Sequence, residues 1–194
     1  MALPTHRQPT LPLIVQLTQA WTAPTWVRRA TLLVGGVVFL ALLAQVRIPL
    51  GPVPVTGQTF GVLLIGMAYG ARGGALTTLA YVLLGAAGAP IFTAFSAGLA
   101  GVTAGYLLAF PAAAYLVGRL AERGYDRTAW STALAMLLGT AVIYAGGLAW
   151  LRTLAPDWGT TVAWGLTPFL LGDALKVALA AWALPSLTSR LGRR

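Results

Sequence analysis

From Arg29 to Arg47 the chain carries no charged side chain between the two arginines, and that pattern recurs along its length. Apolar runs lie at about residues 30–46, 60–69, 75–87, 103–117, 128–151 and 167–187, parted by short connections bearing arginine, glycine or proline. All but the last are free of charge. Such a series cannot be wrapped round a core and still present a polar surface: only 9% of residues are charged and 58% are hydrophobic, against about 25% charged in a soluble domain. In lipid every backbone polar group needs a partner within the protein, which helices supply to themselves. The sequence therefore predicts an all-α integral membrane protein of six transmembrane helices. It divides into a partly interfacial tail over residues 1–28, a membrane domain over 29–187 and a basic tail over 188–194.

Several chemistries are excluded at once. There is no cysteine, and the one histidine, His6, lies in the N-terminal tail, so thiolate metal sites and a histidine acid–base centre are ruled out. The net charge of +9 does not signal nucleic-acid binding, because most arginines flank the apolar runs. Six spans place Arg7, Arg28, Arg29, Arg72, Arg119, Arg123, Arg127, Arg190, Arg193 and Arg194 on one side, and Arg47 and Arg152 on the other. Positive residues accumulate on the cytoplasmic side, so both termini are predicted to be cytoplasmic. The short apolar run at 11–17 lacks a charged start and a convincing cleavage site, so it is read as interfacial rather than as a signal peptide, with Trp21 and Trp26 as surface anchors.

The last run holds the exception to the charge pattern, Gly172-Asp173-Ala174-Leu175-Lys176. Residues i and i+3 share a helix face, and each charge costs about 2.5–3.5 kcal/mol at the centre of a membrane helix. Lys176 is also the sole lysine. One reading is a neutralising ion pair that fixes the rotation of the helix; the other is a ligand site. The surrounding loops favour a site. Residues 47–59 hold three prolines and two glycines, which forbid a regular helix, and residues 89–101 are uncharged and interrupted. Irregular backbone at membrane depth belongs inside protein or beside a cavity. With residues 152–165 these loops gather at the outer face, above Asp173 and Lys176, and describe a pocket that opens outward. The loop at 47–59 is a candidate lid.

An acid beside a base suits a neutral polar group that both donates and accepts. A cyclic urea fits, with Asp173 accepting from its N–H groups and Lys176 donating to its carbonyl. An inorganic cation would need more than one embedded acid, and there is no GxxxxGK[ST] for a nucleotide. An intramembrane enzyme lacks an HExxH motif; a serine–lysine pair of Ser96 or Ser131 with Lys176 stays open. So does a proton-coupled secondary transporter titrating Asp173. Gly101, Gly105, Ala109 and Ala113, spaced by four, suit close helix packing within the chain or docking of a partner.

Four segments in order, Gly51-Pro-Val-Pro-Val-Thr56-Gly-Gln58-Thr, Gly88-Ala-Pro-Ile-Phe92, Gly101-Val-Thr-Ala-Gly105-Tyr106-Leu-Leu-Ala-Phe110 and Gly172-Asp-Ala-Leu-Lys176, resemble the BioY family, the biotin-specific S components of energy-coupling factor vitamin transporters. The resemblance spans about residues 29–186. It implies a substrate-capture subunit of a prokaryotic plasma membrane that is not itself an enzyme and carries no cofactor. Biotin would be its ligand and membrane lipid its surroundings. Its partner would be a coupling module of one transmembrane subunit and two cytoplasmic ATPases. The resemblance assigns biotin binding to Asp173 and Lys176 and a gate to residues 52–58. The chemistry of the pair, which suits a cyclic urea, puts the ureido ring near it and the valerate carboxylate nearer the outer loops. Thr56, Gln58 and Ser96 complete the expected polar shell, and Phe92 and Tyr106 are expected to pack on the bicyclic ring. The chain departs from the family at Gly57, Val102, Ala104 and Ala109. It contains no asparagine, so Thr93, Ser96 or Gln58 takes the polar role an asparagine fills in some members. A pocket of this kind would equally suit another small heterocyclic vitamin.

Overall fold

The computed structural model describes residues 12–14, 18 and 21–191, with side chains up to residue 187. The remainder of the N-terminal tail, including His6, Arg7 and most of the 11–17 run, lies outside the described residues, as do the side chain of Arg190 and both Arg193 and Arg194. The described residues are mostly helical.

Helix α1 spans Thr25–Gln45, starting behind Pro24; a proline there costs the helix no hydrogen bond. Helix α2, Gln58–Ala86, is broken once, at Gly70, whose φ of 75° and ψ of 179° are accessible essentially to glycine alone. Gln58 near the start of the first arm donates to the Tyr81 hydroxyl in the second. The arms 58–69 and 71–86 therefore run back along one another. A Cβ on Gly74 would fall 2.8 Å from the Cα of Gly66, so this pair of glycines lets the backbones touch. The sequence predicts a turn over all of Gly70–Gly74; the structure needs only Gly70, and the other glycines are helical contact points.

Helix α3, Ala104–Glu122, lies against this bent pair: a Cβ on Gly118 would collide with the backbone of Gly70 and Ala71, and Glu122 accepts from the Ala71 amide at 2.9 Å. That carboxylate caps the second arm, which begins without a residue of its own to do so. It also extends α3 into what the sequence reads as an aqueous loop from Gly118 onward. Helix α4, Ala129–Arg152, is N-capped by the Thr128 hydroxyl. The stripe of small residues on α3 meets α4: a Cβ on Gly105 would fall 2.2 Å from Trp150, and one on Gly146 would fall 2.7 Å from Ala109. Of its two readings, the structure shows packing within the chain.

The connection after α4 holds a short helix α5, Trp158–Gly165, capped by Asp157. The Thr160 amide and hydroxyl hold the Asp157 carboxyl below the usual range. A 3-10 turn, Thr167–Phe169, leads into α6, Leu170–Leu191. Strands β1, Arg47–Ile48, and β2, Val55–Thr56, pair antiparallel, so the proline-rich loop is a small ribbon rather than irregular throughout.

Among the described residues, five helical stretches are long and apolar enough to cross a membrane: Thr25–Gln45, Gln58–Ala86, Ala104–Glu122, Ala129–Arg152 and Trp158–Leu187. Large apolar side chains stand outward along α1 (Val34, Val38, Leu42) and α6 (Leu171, Leu175, Trp182), while Leu40, Tyr81, Val117, Met136 and Ile143 are fully buried. An outside this apolar is a surface for lipid. The chain is a membrane protein.

Candidate functional site

The connections 46–57, 87–103 and 153–169 meet at one end of the helices. Gln45, the last residue of α1, donates to the Phe92 carbonyl and accepts from the Phe95 amide. Gln58, the first of α2, accepts from the hydroxyls of Thr56 and Thr93 and donates to Tyr81. The ribbon is thus flanked by two glutamines, both of which reach the turn Thr93–Phe95. Ala94 and Phe95 in that turn have positive φ, a strained conformation for residues with a Cβ. On the third side Tyr106 donates to the Gly165 carbonyl, and Trp150 to Gly101.

Beneath the ribbon lies a cavity of about 30 Å³, lined by Pro54, Thr56, Gln58, Thr93, Tyr106 and Phe169 among others. That is room for about two water molecules. Its wall mixes threonine and glutamine side chains with aromatic and aliphatic ones. Phe169 stacks on Tyr106 at 6.1 Å, and the Tyr106 ring fits because Gly147 offers no Cβ where it rests.

Asp173 and Lys176 stand directly behind this wall. Asp173 occupies the first turn of α6, where the helix dipole favours an anion, and it is 8% exposed. Lys176 donates to its Oδ1 at 2.9 Å, and also to the Thr56 carbonyl and the Thr59 hydroxyl, each at 2.9 Å. An ammonium has three donors, so all three are engaged. The second carboxylate oxygen of Asp173 accepts from the Tyr144 hydroxyl. The two charges neither face lipid nor pair only with each other: they fasten the last helix to the ribbon.

Of the residues the sequence singles out, Thr56, Gln58 and Tyr106 line the cavity, whereas Asp173 and Lys176 do not: Lys176 reaches its wall through Thr56 and Thr59, and Asp173 only by way of Lys176. Phe92 does not line it. Its ring is 3% exposed, meets Tyr81 edge-on at 5.3 Å and lies against Gly85. Ser96 is exposed, its hydroxyl spent on the Thr93 carbonyl. Both positions follow from the turn at 93–95, which swings them to its two sides. The serine–lysine pairs do not form, for Lys176 bonds to neither Ser96 nor Ser131. Sequence reasoning missed Thr59, Phe169 and Tyr144. For Tyr144 a signal existed: a phenol in an apolar span must find a partner for its hydroxyl. Among the described residues no three histidine, cysteine or acidic side chains gather to hold a metal.

A membrane bundle of helices whose loops close over a small mixed cavity, with an ion pair at its back, is the form of a solute-binding membrane subunit. Residues 14–193 match the BioY family, and the chain belongs to it. It is 39% identical over 140 residues to the probable biotin transporter BioY of Pyrococcus horikoshii, covering 71% of this chain and 82% of that one. It is also 39% identical over 150 residues to the biotin transporter BioY of Thermotoga maritima, covering 74% and 88%. In fold it is similar to the S-component for biotin from an ECF-type ABC transporter, known from a crystal structure. The TM-score is 0.76 and the identity 24%, over 88% of this chain and 95% of that chain.

Proposed function

We propose that the chain is the substrate-capture subunit of a biotin uptake system in a prokaryotic plasma membrane, and that it works with an ATP-driven coupling module of one transmembrane subunit and two ATPases. The observation that carries this reading is the hold of Lys176 on Thr56 and Thr59 of the cavity wall while it pairs with Asp173. The kinship with the two biotin transporters supports the choice of biotin.

Counting the two arms of α2 separately gives six membrane segments. The Gly70 turn, the end of α3 and the arginines Arg72, Arg119 and Arg123 then lie on the cytoplasmic side with both termini. The first arm, 58–69, is only about 18 Å long at ~1.5 Å per residue, less than the ~30 Å hydrocarbon core. Its outer end, at Gln58, is therefore sunk below the outer surface. The cavity lies there, with the ribbon as its lid. The bicyclic ring of biotin needs more space than the cavity offers, and in this reading the ribbon lifts to admit it. Inside, Tyr106 and Phe169 enclose the ring, Thr56 and Gln58 meet its polar edges, and Asp173 accepts from the ureido N–H groups. Lys176 meets the ureido carbonyl once it releases the Thr56 carbonyl or the Thr59 hydroxyl. Phe92 acts at one remove, buttressing Tyr81 and through it Gln58, and Ser96 belongs to the rim.

Equilibrium binding of radiolabelled biotin to the detergent-purified chain tests this. Asp173→Asn and Lys176→Ala are each expected to weaken binding about a hundredfold, the upper range for hydrogen bonds to charged groups. Undiminished binding by both variants refutes the site. Binding of a different vitamin by a chain indifferent to biotin refutes the substrate and leaves the fold.

A further inference from the structure

Asp173 stands at the back of the cavity with two groups on it, and only one of them belongs to its own helix. Lys176 engages Oδ1 from one turn further along α6. Tyr144, on α4, engages Oδ2. A single contact on Oδ1 leaves the carboxylate free to swing about that contact, since its terminal torsion is broad. A second donor on Oδ2, from a different element, fixes its plane. The two oxygens offer about four acceptor directions. Lys176 and Tyr144 take one on each, and those that remain are thereby aimed.

The Tyr144 ring is itself fixed from the cavity side. It meets Phe169 edge-on at 6.1 Å, and Phe169 stacks on Tyr106 at 6.1 Å. Phe169 and Tyr106 both line the cavity. One train of three aromatic rings therefore connects the surface a bound ring would press upon to the phenol that holds the carboxylate.

We infer that Tyr144 is a positioning residue for ligand capture, orienting the Asp173 carboxylate so that its unused acceptor directions meet the N–H donors of a bound cyclic urea. The inference rests on the biotin-capture reading above and deepens it. Asp173 stands behind the cavity wall and Tyr144 beyond it, so any effect of the phenol hydroxyl on a ligand passes through Asp173.

The test is a double-mutant cycle on the detergent-purified full chain: unaltered, Tyr144→Phe, Asp173→Asn and the double variant, with radiolabelled biotin titrated to millimolar concentration and thermal unfolding recorded without ligand. Tyr144→Phe keeps the ring and removes only the hydroxyl. It is expected to bind biotin about tenfold more weakly, the factor for losing one hydrogen bond to a charged group, and to melt with the unaltered chain. The double variant is expected to bind no more weakly than Asp173→Asn alone, because with the carboxylate gone the phenol has nothing left to aim. Unchanged affinity in Tyr144→Phe overturns the inference. So does the same loss in both backgrounds, which would make the effect one of packing, and so does collapse of folding in Tyr144→Phe, which would assign the hydroxyl to stability. If the unaltered chain itself binds no biotin, the capture reading falls and takes this inference with it. The other outcomes leave that reading standing.

Discussion

Gly70 shows how much a single residue decides. The reversal between the two arms of α2 depends on a φ of 75° with ψ near 180°, and a Cβ there would also press on Glu122 and Pro12. Gly70→Ala is expected to destabilise the protein by about 2 kcal/mol, within the ~1–3 kcal/mol of a residue forced into such a region. Thermal unfolding in detergent measures it, with Gly35→Ala as a control, since Gly35 has open space where a Cβ would go. The sequence announces a turn in Gly70-Ala-Arg-Gly-Gly74 but not which glycine makes it. One needs its backbone freedom, while Gly74 needs only its lack of bulk, and both read as the same letter. The candidate site divides in a similar way. Asp173 and Lys176 stand out because charge is costly in lipid. Thr59 and Phe169 do not, because threonine and phenylalanine are unremarked on any apolar helix. Their place on the cavity wall or behind it depends on which way a turn points them.

Among the elements, the ribbon β1–β2 has the most consequence. Val53 and Val55 anchor it in the core, and polar side chains tie it to its neighbours: Gln45 and Gln58 join its flanks to the turn at 93–95, and Lys176 takes the Thr56 carbonyl. Proline content alone marks this segment as irregular and as a candidate lid. The pairing of Arg47–Ile48 with Val55–Thr56 is not visible in it, because two residues per strand carry no period. If the ribbon must lift for biotin to enter, pinning it to α6 should stop exchange. A Cβ on Gly172 would lie 3.7 Å from Val55 Cγ1, so the two positions face each other, and the chain has no cysteine of its own to interfere. Val55→Cys with Gly172→Cys is expected to form a disulfide under oxidation. Biotin uptake into the purified protein should then fall to background and return on reduction. Equal binding in the oxidised and reduced states would show that the ligand takes another way in.

For the molecule as a whole, the distribution of arginine predicts which end faces the cytoplasm. What six apolar runs do not reveal is that two of them form one bent helix pair, because only coordinates bring Gln58 to Tyr81. The orientation makes a direct prediction. In intact cells Arg47→Cys is expected to react with a membrane-impermeant maleimide, and Arg72→Cys only after the cells are opened; the reverse pattern would invert the topology. One further consequence attaches to Lys176, which joins positions 120 residues apart in the chain. Its three protons all have takers already, so an arriving carbonyl cannot add to them and must evict one. Where the acceptor evicted is the Thr56 oxygen, arrival of a guest at the lysine and release of the roof from the final helix become a single event, undone when that oxygen returns.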